Sequence, residues 1–238
     1  MKGVLLLGGS GSRLTPLNEV CNKHLLNIGG KPMAQHSIEK LVKVGITDIL
    51  IITGGEHIGS IASYFRGGSK FGCNITYKIQ EEAGGIAEAL KLVSGYMNEG
   101  EKFIVILGDN IFEDNLDNMV DIFAESGSID TILTYQNVED PQRFGVLDYH
   151  NMCIVEKPDV PPSDSAVLGI YGYTYNTKFR SVLNSLIRSD RGEYEVTDLN
   201  NGLISGLSHY ILKLEGWWTD AGTHESLQHA NNLVYGQK

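Results

Sequence analysis

Cysteine is scarce in this chain. Three residues, Cys21, Cys73 and Cys153, are spread over 238 positions. None stands in a CxxC pair, so a zinc site of standard spacing is excluded. An odd, sparse count also argues against a disulfide framework and fits a reducing cytosol. Long apolar runs are missing too. No stretch approaches the ~18 consecutive apolar residues of a membrane span, and the apolar run in MKGVLLLGG is too short for the h-region of a signal peptide. Positive charge is under-represented: 19 Lys and Arg face 29 Asp and Glu, a formal net charge of −10 with no basic run. A nucleic-acid backbone would be repelled. There is no GxSxG elbow, and no spacing pairs any of the seven His with a Ser or Cys for nucleophilic catalysis. Internal repeats and low-complexity tracts are absent. The expectation from these gaps is a cytoplasmic globular protein with neither a membrane nor a nucleic acid as partner.

What is present is the alternation of an α/β fold. Apolar residues make up 42% of the chain, and the length suits one domain spanning residues 1–238. GVLLLG (3–8), DILIITG (48–54), CNITYKI (73–79) and KFIVILGD (102–109) read as strands. Their continuous apolar character suits strands covered on both faces, as in parallel sheets. Segments 32–45, 57–68 and 84–97 read as helices. In the first, Met33, His36, Ile38, Leu41 and Val44 recur near helical spacing, Pro32 opens the segment and Gly45 follows it. This βαβα order predicts a doubly wound, mostly parallel sheet with right-handed crossovers. Further along, the pattern predicts a helix over 114–126, a strand over 130–138 and a hairpin over 144–158. A strand over 166–176, helices over 177–187 and 195–205, a strand over 209–218 and a helix over 223–235 follow. The Pro- and Ser-rich stretch 158–165 reads as a loop inside one fold.

Several motifs stand at the joints of this pattern. LGGSGSRLTP (7–16) follows the first strand. It has Leu14 where the Rossmann GxGxxG needs a third glycine, and it does not meet the P-loop pattern. A glycine-rich turn can be a plain tight connection, but Arg13 adds a permanent charge with a planar donor fork suited to phosphate oxygens. LGDN (107–110) places Asp109 just after a buried strand, at the carboxyl edge where α/β proteins bind ligands. WWTDAGT (217–223) places Asp220 before a helix. Each aspartate alone reads as a helix cap; together they supply the one or two carboxylates that Mg²⁺ takes alongside substrate phosphates. Lys23 in NKHLL and Lys157 in VEKP have the plain reading of surface charges. Gln80, at the head of QEEAGGIAEAL (80–90), offers both a donor and an acceptor to a base edge.

In this order the motifs resemble the sugar-phosphate nucleotidylyltransferases, most closely the glucose-1-phosphate thymidylyltransferases. The matching residues run from LGGSGSRLTP and NKHLL through KPM, QEEAGGIAEAL, LGDN, FGV, VEKP and DRGEYEVTDLN to WWTDAGT, about residues 3 to 225. The resemblance implies a three-layer, Rossmann-like fold of the nucleotide-diphospho-sugar transferase type. It also implies a Mg²⁺-dependent, homo-oligomeric enzyme that uses dTTP and glucose 1-phosphate to make dTDP-glucose and pyrophosphate. By the same resemblance Gly8, Gly9 and Gly11 approach the nucleotide by backbone. Arg13 faces the phosphates that become pyrophosphate, and Lys23 those near the α-phosphorus. Gln80 and the backbone at Gly85 read the base, and Asp109 and Asp220 hold Mg²⁺. Lys157 binds the sugar phosphate. Gly145, Glu156, Ile170, Tyr171 and Glu195 line the sugar site, with Glu193 the nearer match to the RGE triplet.

A phosphate monoester has a second pKa of about 6, so such a nucleophile needs no general base, in keeping with the missing triad. Glu81 stands where many relatives have proline, NIGGKPM replaces the more usual PVxxKPM, and the chain resembles a short form without the C-terminal extension of longer members. The rival expectations are the same chemistry with UTP or another hexose 1-phosphate, and a catalytically silent sugar-nucleotide sensor. The presence of Arg13, Asp109 and Asp220 together speaks against the sensor.

Overall fold

The computed structural model describes residues 1–9, 11–206 and 208–236. The chain opens with β1 (Lys2–Leu7), α1 (Leu17–Val20), β2 (Asn27–Ile28), β3 (Lys31–Pro32), α2 (Met33–Lys43), β4 (Asp48–Gly54), α3 (Ile58–Phe65) and β5 (Asn74–Gln80). It continues with α4 (Ile86–Lys91), β6 (Glu101–Leu107), β7 (Asn110–Phe112), α5 (Asp117–Glu125), β8 (Thr131–Asn137), β9 (Gly145–Asp148) and β10 (Cys153–Glu156). The last elements are β11 (Ser165–Tyr175), α6 (Thr177–Ser185), α7 (Val196–Ile204), β12 (His209–Lys213), β13 (Trp218–Asp220) and α8 (His224–Gly236). These elements gather into two compact units. Met1–Ala83, Ile106–Leu116 and Gly216–Lys238 form the first; Gly84–Val105 and Asp117–Glu215 form the second.

In the first unit β1, β4 and β5 pair in parallel, with Val4 opposite Leu50 and Gly54 opposite Gln80. Val4, Leu5 and Leu7, and Ile49 to Ile52, are buried, which is why these strands are apolar at consecutive rather than alternate positions. α2 packs against β1 through Leu41, whose side chain lies beside Gly3, and buries Met33, Ile38 and Leu41. It ends as its sequence predicts: the Gly45 N–H donates to the Val42 carbonyl and the Ile46 N–H to the Leu41 carbonyl, both at 3.0 Å, the paired bonds of a Schellman cap. Parallel register puts the carboxyl ends of the three strands at one edge. There Thr53 Oγ1 donates to the Leu7 carbonyl at 3.1 Å, and the Gly108 N–H, just past β6, donates to the Leu6 carbonyl at 2.9 Å. A separate antiparallel pair, β7 with β13, opposes Asp220 to Asn110. It is seated on a small core of Ile28, Met33, Ile111, Ala221 and Ala230, the last from α8.

The second unit is mixed. β11 pairs antiparallel with β8 and β9, β9 and β10 form the predicted hairpin, and β12 runs parallel to β8. Its core is aromatic: the rings of Phe103, Tyr173 and Phe179 lie 5.4 to 5.7 Å apart. The Tyr173 hydroxyl donates to Asn200 Oδ1 on α7 at 2.6 Å. The α/β architecture is thus the expected one, parallel in the first unit and mixed in the second.

Two element expectations need correction. The strand read over 209–218 is two strands. β12 stops at Lys213, the Gly216 N–H donates to Asp114 Oδ2 at 2.7 Å, and the chain restarts as β13 in the first unit. The helix read over 84–97 is only Ile86–Lys91. Beyond it the chain closes single turns, with the Tyr96 and Met97 N–H groups both donating to the Val93 carbonyl and Gly95 at φ 75°. All three cysteines are free. Among the described residues, no helix is long and apolar enough to cross a membrane.

Candidate active site

The first unit collects eight of the sequence-predicted residues at the carboxyl edge of its strands. The loop after β1 turns through Gly9 at φ 92° and Gly11 at φ 62°, a backbone conformation that L side chains rarely adopt. Ser10 lies outside the described residues. The loop is pinned by Leu14, fully buried, in the place of a third Rossmann glycine. Gln80 ends β5 beside it: a Cβ on Gly8 would lie 3.3 Å from Gln80 Oε1. Lys23 runs under the loop, its Cβ and Cδ each 3.4 Å from where a Gly11 side chain would begin.

Lys23 ends on Asp109, Nζ to Oδ2 at 2.6 Å, with both side chains largely shielded from solvent. Asn110 Nδ2 donates to the other carboxylate oxygen at 3.1 Å. Burial by itself would raise the Asp109 carboxyl, but the charge of Lys23, with hydrogen bonds from Lys23 and Asn110, outweighs it and holds the group well below the usual carboxylate range. Asp109 is therefore an anion ready for a cation.

Asp220 reaches the same place through β13. The Ala221 N–H donates to the Asp109 backbone carbonyl at 2.7 Å, and Trp218 Nε1 donates to Asn110 Oδ1 at 2.8 Å. Arg13 closes the group from the loop side. A Cβ on Gly222 would stand 3.2 Å from Arg13 Nη2 and 3.7 Å from Asp109 Oδ2, so the guanidinium and the carboxylate both lie against this turn. Among the described residues no three His, Cys, Asp or Glu side chains are grouped for a metal. Two carboxylates beside a phosphate-type loop do fit a hard divalent ion that completes its shell with substrate oxygens and water. An ammonium already sitting on Asp109 Oδ2 shows that the position accepts positive charge.

The second unit holds the other seven. Gly85, at φ 98°, opens α4 against the segment before α7: a Cβ would meet the Tyr194 carbonyl at 2.6 Å. Gly145 faces Glu156 across the β9–β10 hairpin. Glu156 accepts from Thr197 Oγ1 at 2.6 Å and from Arg191 Nη2 at 3.1 Å. Arg191 also reaches Glu195 at 2.8 Å, and Ser189 Oγ donates to Glu195 at 2.6 Å. Lys157 Nζ lies 3.5 Å from Glu156 Oε1, on a backbone at φ 44°. Burial, then the charges of Glu195 and Glu156, push the nearby Asp198 carboxyl up. Ile170 and Tyr171 are buried in β11, where the β8 register shifts between Val167 and Tyr171 and the Ile170 carbonyl accepts from Thr134 Oγ1 at 2.8 Å.

The sequence that carries this arrangement matches a known family. The family model described as nucleotidyl transferase matches residues 2–236. The chain belongs to the nucleotidyl transferase family. A low-salt glycan biosynthesis nucleotidyltransferase, Agl11, of Haloferax volcanii is 35% identical over 100% of this chain and 67% of its own length. A glucose-1-phosphate thymidylyltransferase of Neisseria meningitidis is 37% identical over 98% of this chain and 82% of its own length. A crystal structure from Bacillus anthracis, in complex with a sucrose and provisionally assigned as a glucose-1-phosphate thymidylyltransferase, superposes with a TM-score of 0.91 at 46% identity, covering 98% and 95% of the two chains. Nucleotidyl transferases generally use a divalent metal.

The geometry of this nucleotidyltransferase adds residues that the sequence reading passed over. His24, the middle residue of NKHLL, is buried. Its backbone N–H and its Nδ1 both meet Asn22 Oδ1, at 2.9 and 3.0 Å, which sets Lys23 between two fixed residues. Burial, with the adjacent Lys23 charge, pushes His24 down to about 3, so it is neutral. Arg191 and Thr197 share one carboxylate, and Asn110 serves both Asp109 and Trp218. Arg191 and Asn110 stood inside quoted motifs, DRGEYE and LGDN; the signal was there, attached to the neighbouring acids.

Proposed function

We propose that this nucleotidyltransferase transfers a thymidylyl group from dTTP to glucose 1-phosphate, releasing pyrophosphate and dTDP-glucose, and that residues 1–238 act as one catalytic domain. The observation that carries the reading is the joining of Lys23, Asp109, Arg13 and the strand bearing Asp220 beneath the glycine loop. The likeness to thymidylyltransferases over nearly the whole chain supports the choice of substrates.

The reaction is a displacement at phosphorus. An oxygen of the sugar phosphate forms a bond to the α-phosphorus, the bond from that phosphorus to the α–β bridging oxygen breaks, and pyrophosphate leaves with the electron pair. The nucleophile is already ionised at neutral pH, so the protein's work is alignment and charge neutralisation. In this reading the backbone of Gly8, Gly9 and Gly11 lets phosphate oxygens approach, Arg13 holds the leaving phosphates and Lys23 the phosphates beside the α-phosphorus. Gln80 and the Gly85 backbone read the base. Lys157 takes the sugar phosphate, and Glu156, Glu195, Gly145 and the backbone near Ile170 and Tyr171 take the sugar. Asp109 and Asp220 would hold Mg²⁺, which when bound neutralises triphosphate charge.

The test is a pyrophosphate-release assay with dTTP, UTP, CTP, ATP and GTP against several hexose 1-phosphates. The highest kcat/KM is expected for dTTP with glucose 1-phosphate. Release with no pair of substrates would favour a silent sensor, and a clear preference for UTP would reassign the base.

A further inference from the structure

We infer that Lys23 is a place-holder for the divalent cation on Asp109, so that the lysine and the cation exchange on one carboxylate and free metal binds weakly until a triphosphate draws the lysine away. This rests on the reading of Asp109 as a metal carboxylate and goes beyond it.

Asp109 has both carboxylate oxygens engaged: Oδ1 by Asn110 Nδ2 at 3.1 Å and Oδ2 by Lys23 Nζ at 2.6 Å. The two partners differ in kind. Asn110 is fixed by its second bond, from Trp218 Nε1 at 2.8 Å, and a neutral amide does not repel a cation. Lys23 is a full positive charge on a flexible four-carbon stem. Mg²⁺ binds carboxylate oxygens at about 2.0–2.1 Å, so a cation on Oδ2 would stand against the ammonium with like charge. The lysine has somewhere to go. Its stem lies 3.4 Å from the Cβ position of Gly11, so the head can turn toward the glycine loop while the stem stays in place. With triphosphate in that loop, the ammonium exchanges a carboxylate oxygen for phosphate oxygens and Asp109 is released to the metal.

The sign of the effect is unusual and therefore testable: removing Lys23 should strengthen the binding of metal alone. Mn²⁺ titrations of the nucleotide-free protein would be followed by calorimetry and by the fluorescence of Trp217 and Trp218, the only two tryptophans of the chain. Lys23→Met and Lys23→Gln should each bind Mn²⁺ about tenfold tighter than wild type, the low end of the effect one adjacent charge has on a carboxylate. Unchanged or weaker binding by either folded variant overturns the proposal. Should both variants fail to fold, wild type decides: reductive methylation of Lys23, read by peptide mass, should rise at saturating Mn²⁺, and unchanged labelling with metal bound overturns the proposal. Asp109→Asn separates the two ideas. Full Mn²⁺ affinity in that variant would show that the metal is not on Asp109 and would fault the underlying reading.

Discussion

At the scale of single residues, Arg13 carries the clearest kinetic expectation. Negative charge grows on the β- and γ-phosphates as the α–β bond breaks, so a cation aimed there helps the transition state more than the ground state. Arg13→Ala should lower kcat by about a hundredfold or more, the scale of one lost transition-state donor, with a much smaller change in nucleotide Kd. Strongly weakened binding with kcat intact would make Arg13 a ground-state anchor instead. His24 gives an expectation for pH. Its ordinary value of 6.5 falls to about 3 in the fold. Below pH 6.5 the unfolded chain binds a proton that the folded chain refuses, so this contribution is complete above pH 6.5 and is lost as pH falls toward 3. The slope approaches ~1.4 kcal/mol per pH unit. His36, lowered in the same direction by burial, adds to it. Urea midpoints at pH 7.5 and 5.5 should separate more for wild type than for His24→Gln; equal separations would show that His24 is not the group responsible.

At the scale of elements, the site depends on β7 and β13, three residues each, whose link from Asn110 to Trp218 spans 108 positions of sequence. Trp218→Phe keeps an aromatic ring, though a smaller one, and removes the N–H. Asn110 Oδ1, buried, then loses this donor, which should cost about 1–3 kcal/mol in urea unfolding and lower kcat through Asp220. A variant with normal stability and normal turnover would mean that the indole bond does not position the pair. These short strands also mark the limit of what the sequence tells. β1 and β4 are legible because parallel strands buried on both faces leave continuous apolar runs, β6 because Phe103 to Ile106 are all buried, and α2 because Pro32 and Gly45 bracket it. A three-residue strand has no period to detect, and its pairing partner is a matter of tertiary folding. Asp109 and Asp220 could each be placed at an element's end, but not beside one another. The buried state of His24 was hidden for a similar reason: a lone histidine between a lysine and two leucines has the same spelling whether it faces solvent or core.

At the scale of the whole chain, the candidate residues divide between two compact units, and the division has a kinetic consequence. Gln80 belongs to the first unit with the glycine loop, and Lys157 to the second with Glu156. If the first unit takes the triphosphate and the second the sugar phosphate, with only the Gly85 backbone of the second unit turned to the base, side-chain substitutions should separate the two Michaelis constants. Gln80→Ala removes a neutral amide contact, worth up to about tenfold in the dTTP KM, and should leave the glucose 1-phosphate KM near its wild-type value. Lys157→Ala removes a charged contact to phosphate, worth about ten- to a hundredfold in the glucose 1-phosphate KM, and should leave the dTTP KM nearly unchanged. Arg191 sharpens the test, because it holds both Glu156 and Glu195. Arg191→Lys keeps the charge but loses the fork that spans two carboxylates, so it too should raise the sugar phosphate KM selectively. The measurement is initial rate against each substrate with the other saturating. A rise of both constants together for Lys157→Ala and Arg191→Lys would show that these side chains also set nucleotide affinity, and their assignment to the sugar phosphate would then have to be given up.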